Sequence, residues 1–99
     1  MKRKKSNYLI SKMYCVKCGH EGIPVSRIVG HYKEPGHLKK LYCLHCKDTT
    51  NHIEIRPFGG DYYYEDFLLE QEYNNFDEEG NRKEPYRIFR GKLKQTGKI

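Results

Sequence analysis

"YCVKCGH" at residues 14–20 and "YCLHCKD" at residues 42–48 decide how this chain is read. All four cysteines lie in these stretches, as Cys15-Val-Lys-Cys18 and Cys43-Leu-His-Cys46, with 24 residues between the pairs. Two intervening residues let both thiolates of a tight turn face one ion, with N–H groups of the turn directed at the sulfurs. Gly19 directly follows the first pair, where such a turn often needs a positive φ. Two of these turns complete a tetrahedral four-sulfur shell, the geometry that Zn2+ accepts. The competing reading is a pair of disulfides. It belongs to secreted scaffolds with a signal peptide, and the basic start Met1–Lys5 is followed by no apolar stretch. A redox role needs a βαβ context that the pattern lacks. The expected cofactor is one structural Zn2+ on Cys15, Cys18, Cys43 and Cys46. Of His20, His31, His37, His45 and His52, none is required as a ligand, although a Cys3His shell using His20 or His45 is an alternative.

Working outward, the chain has 99 residues, of which Leu, Ile, Val and Phe make up 21%, with no Ala and no Trp. That apolar content lies near the level at which chains stay disordered, and a domain this small often needs a staple. Structural zinc contributes roughly 10–16 kcal/mol of apparent binding free energy in small metal-folded peptides. The region 13–56 is therefore expected to lose its fold without metal. No run approaches the 18 apolar residues that span a membrane. With no secretory pattern either, the expected location is cytoplasmic. The length leaves no room for a large α/β fold with a cofactor cleft.

Charge is distributed in blocks. Residues 1–56 carry a net +8, residues 57–79 a net −8 with no Lys or Arg, and residues 80–99 a net +6. Basic blocks favour polyanions through phosphate neutralisation. The acidic block repels them and attracts basic protein surfaces. Solubility with internal compensation is the plainer reading of each block.

The expected organisation follows these blocks: a basic flexible arm at 1–7, a ribbon at 8–56, an acidic helical extension at 57–79 and a basic, partly disordered tail at 80–99. Within the ribbon, strands are expected over Tyr8–Tyr14, Pro24–Tyr32, Leu38–Tyr42 and Thr49–Arg56, two or three of them pairing antiparallel. Ile53 and Ile55 share one face of the last strand, with His52, Glu54 and Arg56 on the other. Lys33–His37 is a turn and Pro57–Gly60 a break. Asp61 reads as an N-cap for a helix over 62–74, with Asp61, Glu65 and Asp66 favourable at its positive end. Asp66 and Glu70 repel at i,i+4, so this helix needs a surface to dock on. Tyr86–Phe89 reads as a short strand, and Gly91–Ile99 shows no packing pattern. The expected fold class is a small α+β protein: a zinc ribbon, of a hairpin or three strands, with one C-terminal helix.

The two knuckles around a β-rich hairpin resemble the zinc-ribbon superfamily over residues 13–56. That resemblance implies a module that binds nucleic acid or a nucleic-acid machine and that seldom catalyses. The whole chain is also similar to small zinc-ribbon proteins of bacteriophages in size, Lys/Asn/Tyr-rich composition and an acidic segment after the ribbon. HNH endonucleases share the first knuckle, Cys15/Cys18/Gly19. Where they carry an Asp-His pair this chain has Ser26-Arg27, and Lys47 stands where a His would follow the second knuckle. The general base and its orienting carboxylate are thus missing, leaving at most a degenerate relative.

Three function classes follow. The first is a non-enzymatic binder of nucleic acid, or of a nucleic-acid-processing protein such as RNA polymerase. It would act through Lys17, Arg27, Lys33, Lys39, Lys40 and Lys47, with Tyr14, Tyr32 and Tyr42 either stacking on bases or packing around the metal. The second is a protein-binding inhibitor, of host-takeover or anti-defence type, acting through Tyr63, Tyr64, Glu65, Asp66, Phe67, Glu70 and Glu72. The alternative for Tyr63, Phe67 and Leu68 is docking on the ribbon as core. The third, catalysis, lacks a phosphate loop, a nucleophile signature and an open metal position. No membrane or small-molecule partner is expected, and the chain is expected to be monomeric.

Overall fold

Strand β1, Tyr8–Cys15, ends on the first cysteine of the first knuckle, and β3, Leu38–Cys43, ends on the first cysteine of the second. Between them in space lies β4, Asp48–Ile55, antiparallel to both. β1 and β3 therefore run in the same direction and deliver both knuckles to one end of the sheet. In the computed structural model, which describes residues 8–28, 34, 36–57 and 61–99, a fourth strand β2, Val25–Ile28, completes the order β2-β1-β4-β3. β1 is shared along its length. Tyr8–Ser11 pair with β2, and Lys12–Cys15 pair with Ile55–His52 of β4. That stagger curls the sheet into a half-barrel. The arm at 1–7 lies outside the described residues.

The period-2 alternation of β4 settles its two faces. Ile53 lies between Tyr14 of β1 and Leu38 of β3, and Val16, Ile53, Tyr62 and Phe67 form the core, with Tyr14, Leu38, Ile55, Phe76 and Tyr86 packed against it. The opposite row of β4 is also buried, because residues 20–28 fold back over it. His52 meets Gly22 so closely that a Cβ there would lie 2.8 Å from the imidazole. Glu54 takes two hydrogen bonds from Arg27, at 3.0 and 2.7 Å. Burial alone would raise the Glu54 carboxyl; the Arg27 guanidinium outweighs it and holds the group below its ordinary value.

Two helices follow, α1 over Tyr64–Glu72 and α2 over Tyr86–Gln95. The first corrects the expected span of 62–74 and its expected cap. Residues 61–63 stay non-helical so that Tyr62 enters the core, and Tyr63, not Asp61, is the cap residue. Its N–H donates to the Asp66 carboxylate at 2.7 Å. The second corrects the expected strand at Tyr86–Phe89 and the patternless tail. Phe89 and Leu93 are buried at i,i+4, Tyr86 is half-buried, and Lys92 and Lys94 occupy the last turn, where the helix dipole favours cations. Among the described residues there are thus four strands and two helices, against the expected hairpin or three strands with one helix.

What ties this helical half to the sheet is polar as well as apolar. Glu70 is fully buried in α1. Its carboxylate accepts from Arg82 twice at 2.8 Å, from the Tyr62 hydroxyl at 2.5 Å and from Asn75 at 2.6 Å. Arg82 also donates to the Gly36 carbonyl at 2.9 Å, ahead of β3. It lies 5.7 Å from the ring centroids of both Tyr62 and Phe76. Asn51 of β4 donates to the Gly80 carbonyl at 2.9 Å. The charge and hydrogen-bonding capacity of Glu70 are thereby satisfied, which a buried carboxylate requires.

Candidate metal centre

The two knuckles are built alike. After Cys15 the chain turns through Val16 and Lys17 to Cys18, and Gly19 at φ 79° donates its N–H to the Cys15 carbonyl at 2.7 Å. After Cys43 it turns through Leu44 and His45 to Cys46, and Lys47 at φ 57° donates to the Cys43 carbonyl, also at 2.7 Å. The position after the second cysteine is left-handed in both. Glycine supplies this freely in the first; in the second a lysine adopts a conformation disfavoured for side-chain-bearing residues. The Cys46 N–H donates to the Cys43 sulfur at 3.3 Å.

The sulfurs converge across the knuckles. Cys15 and Cys46 are 3.8 Å apart, and Cys18 and Cys43 are 3.5 Å apart. A disulfide would bring a pair to about 2.05 Å, and all four thiols are free. Four sulfurs arranged tetrahedrally at about 2.3 Å from zinc lie about 3.8 Å from each other. The four cysteines thus cluster at metal-binding distance and could hold an ion such as zinc. Cys15 and Cys43 are buried, Cys18 and Cys46 half-buried.

Thr50 of β4 supplies a contact that sequence reasoning missed. Its hydroxyl lies 3.1 Å from the Cys15 sulfur. Burial would push the Cys15 thiol up, but Thr50 and the N–H groups of Lys17 and Cys18 hold it down at about 7. The Cys18 thiol is pushed up, first by burial, as is that of Cys46, to about 12. The Cys15 sulfur is thus poised as a thiolate, while Cys18 and Cys46 hold their protons more tightly, which a cation placed among the sulfurs would reverse.

Among the histidines, His20 and His45 stack with ring centroids 3.8 Å apart, and with Cys18 they form a second group of candidate ligand atoms within 4.8 Å of one another. Both imidazoles are exposed. His52 is interior, its Nδ1 3.0 Å from the Thr50 carbonyl. His37 is half-buried, and His31 lies outside the described residues.

The cations expected on one nucleic-acid surface are dispersed. Arg27 is engaged by Glu54. Lys39 and Lys40 are consecutive in β3 and so face opposite sides of the sheet. Lys17 shares a cleft with Asp77 and Glu78. Lys47 is exposed at the second knuckle, and Lys33 and Tyr32 lie outside the described residues. Tyr14 packs against Tyr64 and Phe67, with centroids at 4.8 and 6.0 Å, while Tyr42 is exposed.

The residues expected to face a protein partner divide as well. Tyr63, Tyr64, Glu65 and Glu72 are exposed. Asp66 is half-buried and accepts from the Tyr86 hydroxyl. Phe67 and Glu70 are fully buried; they serve the interior, because the helix docks on the ribbon with that face. No protein-family model, curated protein or solved structure matches this chain. Among the described residues no helix is long and apolar enough to cross a membrane.

Proposed function

We propose that this protein is a non-enzymatic, zinc-ribbon-like module that holds one structural Zn2+ and binds nucleic acid or a nucleic-acid machine such as the transcription apparatus. The observation that carries the metal reading is the cross-knuckle sulfur spacing of 3.5 and 3.8 Å. Four thiolates fill the tetrahedral shell of zinc, so the ion would have no open position for a substrate or an activated water. The nucleic-acid reading is supported by the net charge of +6, carried by blocks on either side of one acidic segment.

Two measurements test this. Native mass spectrometry should show one zinc per chain, and a strong chelator should collapse the amide spectrum of residues 13–56; a spectrum unchanged by chelation removes the structural role. Zinc-loaded protein should shift a labelled oligonucleotide at about 50 mM salt and release it as salt rises. No retention at that salt removes the nucleic-acid reading.

A second reading, a protein-binding inhibitor, is favoured by the surface that α1 keeps free. Tyr63 and Leu68 are 52% and 43% exposed beside Glu65 and Glu72. Rigid tyrosines edged by acids suit a basic protein groove. Its mark would be a stoichiometric protein partner that survives nuclease treatment of an extract and is lost in a Tyr63→Ala/Glu65→Gln variant.

A further inference from the structure

The ribbon scatters its cations, but α2 does the reverse. Arg87, Arg90 and Lys94 fall at i, i+3 and i+7, which places them along one helix face. All three are exposed, and all three line one groove of about 790 Å3. Among the described residues none of them forms an ion pair, whereas Lys92 is paired with Glu84 at 2.7 Å. The buried side of the same helix is held by Phe89 and Leu93. Glu34, Asp61 and Arg82 also line the groove, and Arg82 is committed to Glu70. The free cations are therefore the three of α2, facing two acids.

Gly91 adds an independent observation. It lies inside α2 and lines the same groove, and a Cβ built on it would meet nothing within 4 Å. Interior packing therefore does not require glycine, although glycine weakens a helix interior. What its absent side chain does is leave the helix backbone open to close approach between Arg90 and Lys94.

We propose that this face of α2, Arg87, Arg90 and Lys94 across Gly91, binds the phosphodiester backbone of a nucleic acid, and that the ribbon lysines contribute less. The proposal rests on the nucleic-acid reading above and names its contact surface. The three cations span about 10.5 Å of helix axis and stand about 5 Å apart along it, a row that can follow a strand carrying one phosphate per roughly 3.4 Å. A single strand or a duplex groove edge presents the same chemistry.

The test uses the full zinc-loaded chain and fluorescence anisotropy with a 20-nucleotide oligo(dT), a 20-nucleotide oligo(U) and a 20-base-pair duplex. Three proteins are compared: wild type, R87Q/R90Q/K94Q and K39Q/K40Q/K47Q. Loss of three single-strand phosphate contacts should lower the salt slope by about 2 and weaken binding on the order of 10²-fold at 50 mM salt. The ribbon triple should keep most of the affinity. Gly91→Tyr should weaken binding while retaining zinc and circular dichroism. The three probes show which nucleic acid is held best. If the α2 triple keeps wild-type affinity and slope while the ribbon triple loses them, the α2 assignment is wrong and the nucleic-acid reading stands. If wild type binds none of the probes, both are wrong.

Discussion

Replacing Glu70 by alanine should cost this protein a large part of its stability. The carboxylate is fully buried and accepts from Arg82, Tyr62 and Asn75. Its loss leaves the Arg82 guanidinium, 17% exposed, without its counterion. Breaking a buried pair in this way destabilises by about 3–5 kcal/mol, against a total of about 5–15 kcal/mol for a typical domain. At about 4–8 °C per kcal/mol for a domain of this size, the midpoint should fall by roughly 12–40 °C. Two graded variants separate charge from shape. Tyr62→Phe removes one hydroxyl donor while Arg82 still serves the same oxygen, and should cost about 1 kcal/mol. Glu70→Gln keeps the volume and loses the charge, and should fall between the two. Thermal and urea unfolding should be followed at fixed free zinc, since metal binding to the folded state shifts both. An alanine variant within about 1 kcal/mol of wild type would refute the reasoning, because the pair would then have to be open to water.

Three further outcomes are expected. Thr50→Val removes the hydroxyl beside the Cys15 sulfur; zinc affinity, read by competition with a chromophoric chelator, should fall about 10–100-fold, as when other outer-shell partners are lost. Gly91→Ala should stabilise the protein by about 1 kcal/mol, since the added Cβ meets nothing; a lower unfolding midpoint would contradict that packing. Glu54 is depressed in the folded state by Arg27, so its contribution is present above the ordinary carboxylate value and is lost as pH falls through the depressed one. The stability difference between wild type and Arg27→Met should therefore shrink on acidification below about pH 4.5; a difference that stays constant down to pH 3 would exclude the linkage.

The cysteine cluster and strand β4 were legible in the sequence because their signals are local. Two C-x2-C turns have fixed spacing, and the alternation of Thr49–Arg56 names its own faces. The second helix was not, because its apolar residues Tyr86, Phe89 and Leu93 are separated by Gly91 and a crowd of cations that dilute the 3.6-residue period. Glu70 and Arg82, twelve residues apart, each look like ordinary surface charges, and only tertiary placement makes them a pair. The same holds for Thr50, which stands in a run of β-formers with nothing to mark it as a neighbour of sulfur. His52 and Glu54 read as the wet side of a strand, and the curl of the sheet turned that side inward. The partner-facing reading of Phe67 and Glu70 failed for a related reason: a short helix shows its composition in sequence but not which face it spends on its own protein.

The seam between sheet and helices limits what can be borrowed from this molecule. Gly36 takes a hydrogen bond from Arg82, Asn51 reaches Gly80, and Val16 and Ile53 share a core with Tyr62 and Phe67. A protein engineer who clipped out residues 8–57 to graft the cysteine knuckles elsewhere would carry away a sheet with one face stripped. That fragment should associate with itself or aggregate through the bared face. Transplanting the metal centre means transplanting its helices with it.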